Sequence, residues 1–236
     1  MNAQTSDDQT PIRGRFITFE GGEGAGKSTQ IQQLKERLLR LEINVVVTRE
    51  PGGSPTAEEL RAILLSGAAQ QLGSTGEAVL FAAARVDHVD RLIRPALNEG
   101  RWVLCDRFID STRVYQGLAG GTEPEIIRAL ERIAIDELLP DLTIIIDVPA
   151  ETGLKRVADR AAKNVAAAPD RFEGDDLDIH RGRRQAFLNI AEKESKRCQV
   201  VDGTQKPNDV ARDIWDAVVK QFDIQDSGRL AGAKRR

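Results

Sequence analysis

Nine residues near the start of the chain decide the fold: Gly21-Gly22-Glu23-Gly24-Ala25-Gly26-Lys27-Ser28-Thr29. They fit the pattern G-x-x-x-x-G-K-[ST], the phosphate-binding P-loop. An apolar run at residues 16–19 precedes them and predicts a buried strand, and apolar residues at helical spacing follow over residues 30–41. Strand, loop and helix therefore stand in the order that this motif requires.

The P-loop predicts a site for the phosphates of a nucleoside triphosphate. Glycines let backbone N–H groups turn inward around phosphate oxygens, and the N-terminus of the following helix favours an anion. Lys27 is expected to reach the β and γ phosphates, and the hydroxyl of Ser28 is expected to ligate Mg²⁺. We therefore predict that residues 21–29 bind ATP, with Mg²⁺ as the cofactor. The alternative is a glycine-rich turn with an incidental lysine.

Short apolar runs alternate with amphipathic helical patterns along the chain. Continuously apolar short strands are typical of a parallel sheet that is covered on both faces. The sequence therefore predicts an α/β protein with a P-loop NTPase three-layer fold, in which helices flank a central, mostly parallel five-stranded sheet. Ligands of such sheets bind beyond the carboxyl ends of the strands. Strands are predicted at residues 16–19, 44–48, 102–105, 142–148 and 199–201, and helices at residues 30–41, 58–65, 77–97, 122–139, 150–162, 179–196 and 208–221.

The composition of the chain argues against nucleic-acid and membrane partners. The chain has 236 residues and a net charge of −3, whereas a nucleic-acid-binding protein usually carries a basic field, so no nucleic-acid partner is expected. No run approaches 18 apolar residues and the N-terminus is polar, which predicts no membrane partner and a cytoplasmic protein. Cys105 and Cys198 lack metal-ligand spacing, and Cys105 is expected to be a core thiol.

Arginines follow two further predicted strands. The second strand leads into Arg49, and the third leads into Asp106 and Arg107. Two arginines exceed what ATP needs beside Lys27 and Mg²⁺, so a second phosphate-bearing substrate and phosphoryl transfer are predicted, with the cations aligning two phosphates that repel each other. Asp106 ends a strand, as the Mg²⁺-organising carboxylate of P-loop enzymes does. The alternative for both arginines is a surface ion pair with Glu50 or Asp106.

Five segments resemble the thymidylate kinase family and occur in the family's order over about residues 14–220. The resemblance implies transfer of the γ-phosphoryl group of ATP to dTMP, giving dTDP and ADP. The longest segment looks like the family's DR[FHY]-x-x-S-x-x-[AV]-Y-Q-G. The five are FEGGEGAGKST (residues 19–29), TREPGG (48–53), LFAAAR (80–85), DRFIDSTRVYQG (106–117) and PDLT (140–143).

The resemblance implies that Arg49 and Arg107 hold the phosphate of dTMP. It also implies that Glu23, inside the P-loop, accepts a hydrogen bond from the deoxyribose 3′-hydroxyl. These positions match the expectation from the strand ends, where two cationic side chains were predicted near the bound triphosphate.

For the rest of dTMP, the resemblance implies that Phe81 stacks on thymine and that Arg85 donates to a thymine carbonyl. The spacing i, i+4 places these two on one helix face. Ser111, Tyr115 and Gln116 are implied to line the pocket for base and sugar, with the tyrosine crowding the sugar 2′ position. From the pattern alone, a place in the core is an equal alternative for Phe81.

Residues 160–176 are predicted to form a lid that closes over ATP and excludes water. The variable positions of the P-loop hold no arginine, so the resemblance implies that the lid supplies the catalytic one, as in the bacterial-type enzymes. Arg171 is the first candidate, followed by Arg160 and Lys163. The predicted catalytic set is Lys27, Asp106, Arg107 and Arg171.

The predicted domain organisation is a flexible extension at residues 1–13, a single P-loop kinase domain at residues 14–222 and a flexible basic tail at residues 223–236. The resemblance also implies a homodimer. The helices predicted at residues 77–97 and 122–139 are candidates for its apolar face.

Two other functions remain open from the sequence. One is a different nucleoside monophosphate kinase, or a deoxynucleoside kinase in which Glu50 or Glu23 acts as the base. The other is a P-loop regulatory ATPase, which would hydrolyse ATP slowly without an acceptor and would not need Arg85 or Tyr115.

Overall fold

The computed structural model describes residues 13–163 and 171–224, with the side chain of Arg171 excepted. Within them, five strands form one sheet: β1 (Phe16–Glu20), β2 (Val45–Arg49), β3 (Trp102–Asp106), β4 (Leu142–Asp147) and β5 (Cys198–Asp202). Their order is β2-β3-β1-β4-β5, and every neighbouring pair is parallel. The predicted five-stranded α/β sheet is confirmed, and it is fully parallel.

Helices cover both faces of the sheet, as the apolar strands require. Short 3-10 turns lie at Ala68–Leu72 and Arg171–Gly174, and wider π-turns lie at Val89–Ile93 and Arg113–Leu118. No described helix is long and apolar enough to cross a membrane. The α-helices are α1 (Lys27–Arg40), α2 (Pro55–Leu65), α3 (Gly73–His88), α4 (Arg94–Asn98), α5 (Ile109–Thr112), α6 (Pro124–Ile135), α7 (Ala150–Lys163), α8 (Leu177–Lys193) and α9 (Pro207–Phe222).

The core lies in layers on the two faces of the sheet. On one face Ile17 and Phe19 of β1 pack with α1 and with the indole of Trp215 on α9, and all three side chains are almost fully buried. On the other face Phe16 packs with Cys105, the thiol that was expected in the core. Side chains that alternate along β1 thus serve opposite layers, which fixes the strand between them.

The long helix predicted at residues 77–97 is helical throughout, but a π-helical segment divides it into two α-helices. The helix α3 ends at His88, a π-turn follows at Val89–Ile93, and α4 begins at Arg94. Pro95 explains the interruption, because proline has no N–H for the regular ladder and its ring crowds the carbonyl four residues earlier.

The helix α6 buries only part of its predicted apolar face. Ile127 and Ala134 are buried, but Ile126 is 38% and Ile133 is 70% exposed. Residues seven apart share a helix face, so the latter two form a second stripe beside the buried one. The apolar spacing along α6 predicts that all four side chains face inward, and this prediction is wrong for Ile126 and Ile133.

The strand ends that carry the predicted site are level with one another. Asp106 pairs in register with Phe19 of β1 on one side and with Arg49 of β2 on the other. Carboxyl ends of parallel strands meet at one edge of the sheet. The loops after β1, β2 and β3 therefore leave the sheet side by side.

The segment after β3 forms a short helix and a π-turn that the sequence pattern did not predict. Asp110, with a fully buried side chain, anchors it. Its two oxygens accept hydrogen bonds from Arg197 at 2.7 and 2.8 Å, and one of them also accepts from Arg113 at 3.2 Å. Buried polar contacts hold this segment in place of an apolar face at helical spacing, so the sequence pattern did not reveal the helix.

Candidate active site

The P-loop wraps closely around the N-terminus of α1. Gly24 has a φ of 69°, a left-handed conformation, and a Cβ at this position would lie 2.1 Å from the carbonyl oxygen of Gly153. A side chain is therefore excluded both by conformation and by space. Because α1 begins at Lys27, its N-terminal N–H groups point into the loop and favour an anion there.

Lys27 lies under the loop and is 8% exposed. Its Nζ donates to the carbonyl oxygens of Gly21 and Gly22, each at 3.2 Å. Burial lowers the pKa of Lys27, and the nearby guanidinium of Arg107 lowers it further, while surrounding carboxylates oppose both effects. An anion in the loop would favour the charged ammonium in the same way.

Ser28 and Asp106 form an oxygen pair at the mouth of the loop. The Ser28 hydroxyl donates to Oδ2 of Asp106 at 3.1 Å. The described residues contain no cluster of three His, Cys, Asp or Glu side chains able to hold a metal ion. Mg²⁺ typically binds to one or two protein oxygens together with water and substrate phosphates. This oxygen pair fits that preference.

Arg107 adopts a left-handed backbone with a φ of 69° and turns its guanidinium towards the P-loop. It donates to Oε1 of Glu23 at 2.7 Å, to the carbonyl oxygen of Gly21 at 3.3 Å and to the hydroxyl of Ser111 at 3.1 Å. Its ion-pair partner is therefore Glu23 and not Asp106, the surface partner that was considered as an alternative. The guanidinium thus belongs to the wall of the P-loop cavity.

One carboxylate oxygen of Glu23 accepts hydrogen bonds from two side chains. The phenol of Tyr115 donates to Oε1 at 2.6 Å, beside the bond from Arg107. Burial alone would raise the pKa of Glu23, but Arg107 and Lys27 outweigh burial and lower it to about 2. Glu23 is therefore an ionised acceptor at neutral pH, able to accept from a ligand hydroxyl.

Arg49 lies at the more open end of the cavity, with its side chain 55% exposed. It donates to both carboxylate oxygens of Glu58 at 3.3 Å, and the backbone N–H of Gly53 donates to the same carboxylate at 2.9 Å. Arg61 lines the cavity nearby and donates to the carbonyl of Pro51 at 2.6 Å. Sequence reasoning found neither Glu58 nor Arg61, because both lie inside α2, away from any strand end.

Arg85 is 2% exposed and lies at the base of the cavity. Its Nε donates to Glu50 at 2.7 Å, and its Nη2 donates to the Phe108 carbonyl at 3.2 Å and to the Thr112 hydroxyl at 3.0 Å. Among the described residues, Nη1 has no hydrogen-bond partner. The fixed guanidinium therefore keeps donors for a ligand. Phe81 lines the same cavity and also packs at the edge of an apolar cluster.

Glu50 is buried behind Arg85 and is fully engaged. Its second oxygen bonds to Nδ1 of His88 at 3.0 Å, and Nε2 of His88 bonds to the Thr48 hydroxyl at 2.7 Å. These contacts speak against Glu50 as a general base, since both its oxygens have partners. His88 gave no signal in the sequence, because it lies on a helix face where a lone histidine resembles a core residue.

Glu20 is a second carboxylate that the sequence analysis passed over. It ends β1 and is fully buried. It accepts hydrogen bonds from the backbone N–H groups of Phe108 and Ser111 at 2.8 and 3.2 Å, and from the Ser111 hydroxyl at 2.6 Å. Burial, together with the charge of Asp110, raises the pKa of Glu20 to about 7. Glu20 thereby fixes the turn that carries Arg107.

One cavity of about 320 Å³ brings most of the predicted residues together. Gly21 and Gly22 support it from behind through the carbonyls that bind Lys27. Residues that the prediction did not include also line it, among them Pro51, Thr112 and Phe172. The predicted residues on its wall are Glu23, Gly24, Ala25, Gly26, Lys27, Ser28, Thr29, Arg49, Phe81, Arg85, Asp106, Arg107, Ser111, Tyr115 and Gln116.

The predicted lid at residues 160–176 is described only in part, because residues 164–170 lie outside the described residues. The backbone of Arg171 begins a 3-10 turn, but the position of its side chain lies outside the description. Arg160 lines the cavity and donates to Glu173 at 3.1 Å. Lys163 is exposed at the end of α7. Arg171 therefore stays a prediction.

The loop after β5 leaves the sheet at its carboxyl edge. Both Nη atoms of Arg156 donate to the carbonyl oxygen of Gly203, each at 3.1 Å. The contact links that loop to α7.

A parallel sheet with a P-loop after its first strand, and with arginines after two others facing the same cavity, defines the class of P-loop phosphotransferases. Comparison with known proteins specifies the family. The family model described as thymidylate kinase matches residues 19–214. The chain belongs to the thymidylate kinase family, so the resemblance drawn from the sequence is confirmed.

Individual relatives agree. The chain is 56% identical over 208 residues to a thymidylate kinase of Bradyrhizobium sp. (strain BTAi1 / ATCC BAA-1182). This match covers 88% of this chain and 91% of the relative. It is 52% identical over 216 residues to a thymidylate kinase of Nitrobacter winogradskyi, covering 92% and 93% respectively. The crystal structure of thymidylate kinase from Ehrlichia chaffeensis matches with a TM-score of 0.70 at 33% identity, covering 87% of this chain and 99% of that one.

Proposed function

We propose that this chain transfers the γ-phosphoryl group of ATP to dTMP, giving dTDP and ADP. The observation that carries the proposal is the single cavity with a P-loop on one wall and Arg49, Arg107 and Arg85 on the others. ATP alone does not need three further guanidinium groups. An acceptor with both a phosphate and a hydrogen-bonding base accounts for them, and family membership supports dTMP as that acceptor.

On the donor side, residues 21–29 would hold the phosphates of ATP. Lys27 would exchange its two carbonyl contacts for oxygens of the β and γ phosphates. Ser28 and Asp106 would hold Mg²⁺, which when bound neutralises charge on the transferring phosphoryl group. The oxygen pair and its closeness to the P-loop support this assignment.

On the acceptor side, Arg107 and Arg49 would bind the 5′-phosphate. Glu23, ionised at neutral pH, would accept from the 3′-hydroxyl of the sugar. Ser111 and Tyr115 lie next to these groups and would contact the sugar.

The base would lie deeper in the cavity. Phe81 would stack on thymine, and Nη1 of Arg85 would donate to a ring carbonyl. Gln116, which is 2% exposed and lines the cavity, would close the base pocket. A fixed guanidinium suits an uncharged pyrimidine with carbonyl acceptors.

The proposed chemistry consists of positioning and charge neutralisation. The acceptor is already a phosphate anion, so no general base is needed. Lys27, Arg107 and the lid arginine, for which Arg171 is the candidate, would neutralise the charge of two phosphates brought into line. The lid would exclude water, which otherwise competes as acceptor.

An acceptor panel tests the function. ADP release from Mg·ATP would be measured with dTMP, dUMP, UMP, CMP, AMP, GMP and thymidine. We expect strong stimulation by dTMP alone. Stimulation by another monophosphate would reassign the substrate, and activity with thymidine would favour a deoxynucleoside kinase. ADP release that no acceptor stimulates would remove the kinase proposal.

Base recognition is tested with Arg85→Gln. We expect the preference for dTMP over CMP, measured as the ratio of kcat/KM values, to fall at least about tenfold. Arg91→Gln is the matched control, because Arg91 follows α3 closely but is 65% exposed and pairs with Asp87. An equal effect of both variants would contradict a role for Arg85 at the base.

We also propose a homodimer built on α3 and α6. Val79 of α3 is 48% exposed, and α3 packs against α6, which carries the exposed stripe of Ile126 and Ile133. Apolar stripes of this kind mark interaction surfaces. Light scattering after gel filtration should give twice the chain mass, and Ile133→Lys should give the monomer, whereas Ile179→Lys on α8 should not. A wild-type monomer at micromolar concentration would refute this.

The catalytic domain is proposed to span residues 14–222. Of the two flanking segments that were predicted as flexible, residues 1–12 and 225–236 lie outside the described residues. A cytoplasmic location and the absence of a nucleic-acid partner stay predictions.

A further inference from the structure

A guanidinium outside the predicted site connects two parts of the cavity wall. Arg183, on α8, is 5% exposed. Its Nη2 donates to the carboxylate of Asp175, and its Nη1 donates to the Phe172 carbonyl at 3.3 Å. The guanidinium carbon also lies 4.4 Å from the centroid of the Tyr115 ring and 5.6 Å from that of Phe172. One side chain thus contacts both the C-terminal part of the predicted lid and the pocket tyrosine.

Fold stability alone does not explain a buried arginine here. Among the described residues, Nε of Arg183 has no hydrogen-bond partner. A buried N–H without a partner costs about 1–3 kcal/mol. Replacing both partners of a buried ion pair with well-packed apolar side chains is often neutral or stabilising. A role other than stability is therefore the better explanation.

Tyr115 connects Arg183 to the groups that are proposed to bind the acceptor. The Tyr115 ring stacks edge-on against Phe172, with the centroids 5.3 Å apart. Its hydroxyl donates to Glu23, and the Arg107 guanidinium, 5.0 Å from the same ring, donates to the same carboxylate oxygen. A displacement of the Tyr115 ring would therefore alter both Glu23 and Arg107.

We propose that Arg183 is a positioning residue that holds the Tyr115 ring against the Phe172–Asp175 turn and thereby sets acceptor affinity and the preference for deoxyribose over ribose. A cation near an aromatic face holds the ring by electrostatic attraction. A sugar pocket discriminates only when its wall is fixed. The inference rests on the proposed function, in which the sugar of dTMP lies against Tyr115.

The first test is kinetic, with Arg183→Leu. We expect KM for dTMP to rise about tenfold, and the ratio of kcat/KM for dTMP to that for its ribose counterpart to fall about tenfold, while KM for ATP stays within about twofold. Arg181→Leu is the matched control, because Arg181 lies on the same helix but is 55% exposed and pairs with Glu151 and Asp178. It should leave all three values unchanged.

The second test reports on the ring directly. Tyr115 is the only tyrosine in the sequence, so 3-fluorotyrosine labelling gives a single ¹⁹F resonance. Without substrate, Arg183→Leu should shift this resonance and Arg181→Leu should not. Circular dichroism and the melting temperature check that each variant is folded.

Two results would overturn the inference. One is an unchanged resonance with unchanged kinetic values in folded Arg183→Leu. The other is a lowered melting temperature with unchanged KM for dTMP and unchanged sugar preference, which would assign Arg183 a structural role only. If the wild-type protein does not phosphorylate dTMP, the proposed function and the substrate part of the inference fail together, and the resonance then tests the Arg183–Tyr115 contact alone.

Discussion

The buried carboxyl of Glu20 makes the stability of this protein depend on pH in a way that one substitution should remove. Glu20 ends β1 and accepts two backbone N–H groups and one hydroxyl, yet burial raises its pKa from 4.5 to about 7. In Glu20→Gln the amide oxygen still accepts from the backbone of Phe108 and Ser111. The amide NH₂ then donates to the Ser111 hydroxyl. The turn therefore keeps its hydrogen bonds to position 20, while the side chain there no longer titrates.

The sign follows from proton linkage. Below pH 4.5 Glu20 is protonated in both the folded and the unfolded chain. Its contribution to the free energy of unfolding is then at its most favourable. As pH rises from 4.5 to about 7 the unfolded chain loses this proton first, so the folded state loses stability. Each pH unit is worth about 1.4 kcal/mol, so the loss amounts to roughly 3 kcal/mol by pH 7 and then stops.

The assay is urea unfolding of wild type and Glu20→Gln at half-unit steps from pH 4.5 to 8. The difference between variant and wild type in unfolding free energy should increase by roughly 3 kcal/mol across this range, in favour of the variant. Glu59→Gln, at an exposed position on α2, should give a flat difference. A flat difference for Glu20→Gln as well would show that burial does not control this carboxyl, and the reasoning would fail.

Three further outcomes are expected. Gly24→Ala should lower the unfolding free energy by about 1–3 kcal/mol, because the new Cβ would meet the carbonyl of Gly153 in a left-handed conformation; an unchanged urea midpoint would contradict the close approach. Ser28→Ala should raise the Mg²⁺ concentration for half-maximal activity at least about tenfold, whereas Ser195→Ala should not, and equal Mg²⁺ curves would remove Ser28 as a ligand. Trp215→Ala should cost about 3–5 kcal/mol in urea unfolding, since the indole is 1% exposed, and a cost below about 1 kcal/mol would mean that the core closes over the gap.

The sequence predicted best what short-range patterns determine. Apolar runs located all five strands to within two residues, because a strand buried on both faces has to be continuously apolar. The strand ends then predicted that Arg49 and Arg107 would approach the P-loop, and they line the same cavity as Lys27. Here chain order and sheet geometry were sufficient.

Contacts between distant segments were not predictable in this way. Glu20 looked like the last residue of a strand, and His88 looked like a core residue of a helix. Arg183 lies in a run of charged residues on α8 that resembles a solvated face. Each acquires its role from a partner that lies far away in the sequence, such as Ser111, Glu50 or Tyr115.

The level ends of the three strands limit how this protein can change in length. One residue inserted into β3 would displace Asp106 by about 3.3 Å along the strand and turn its side chain to the opposite face. The carboxylate would lose its alignment with Phe19 and Arg49 on the neighbouring strands, and no adjustment of rotamers would restore it. Insertions and deletions should therefore be tolerated in surface loops and not within β1, β2 or β3, where even a conservative change in length would separate the phosphate loop from the arginines.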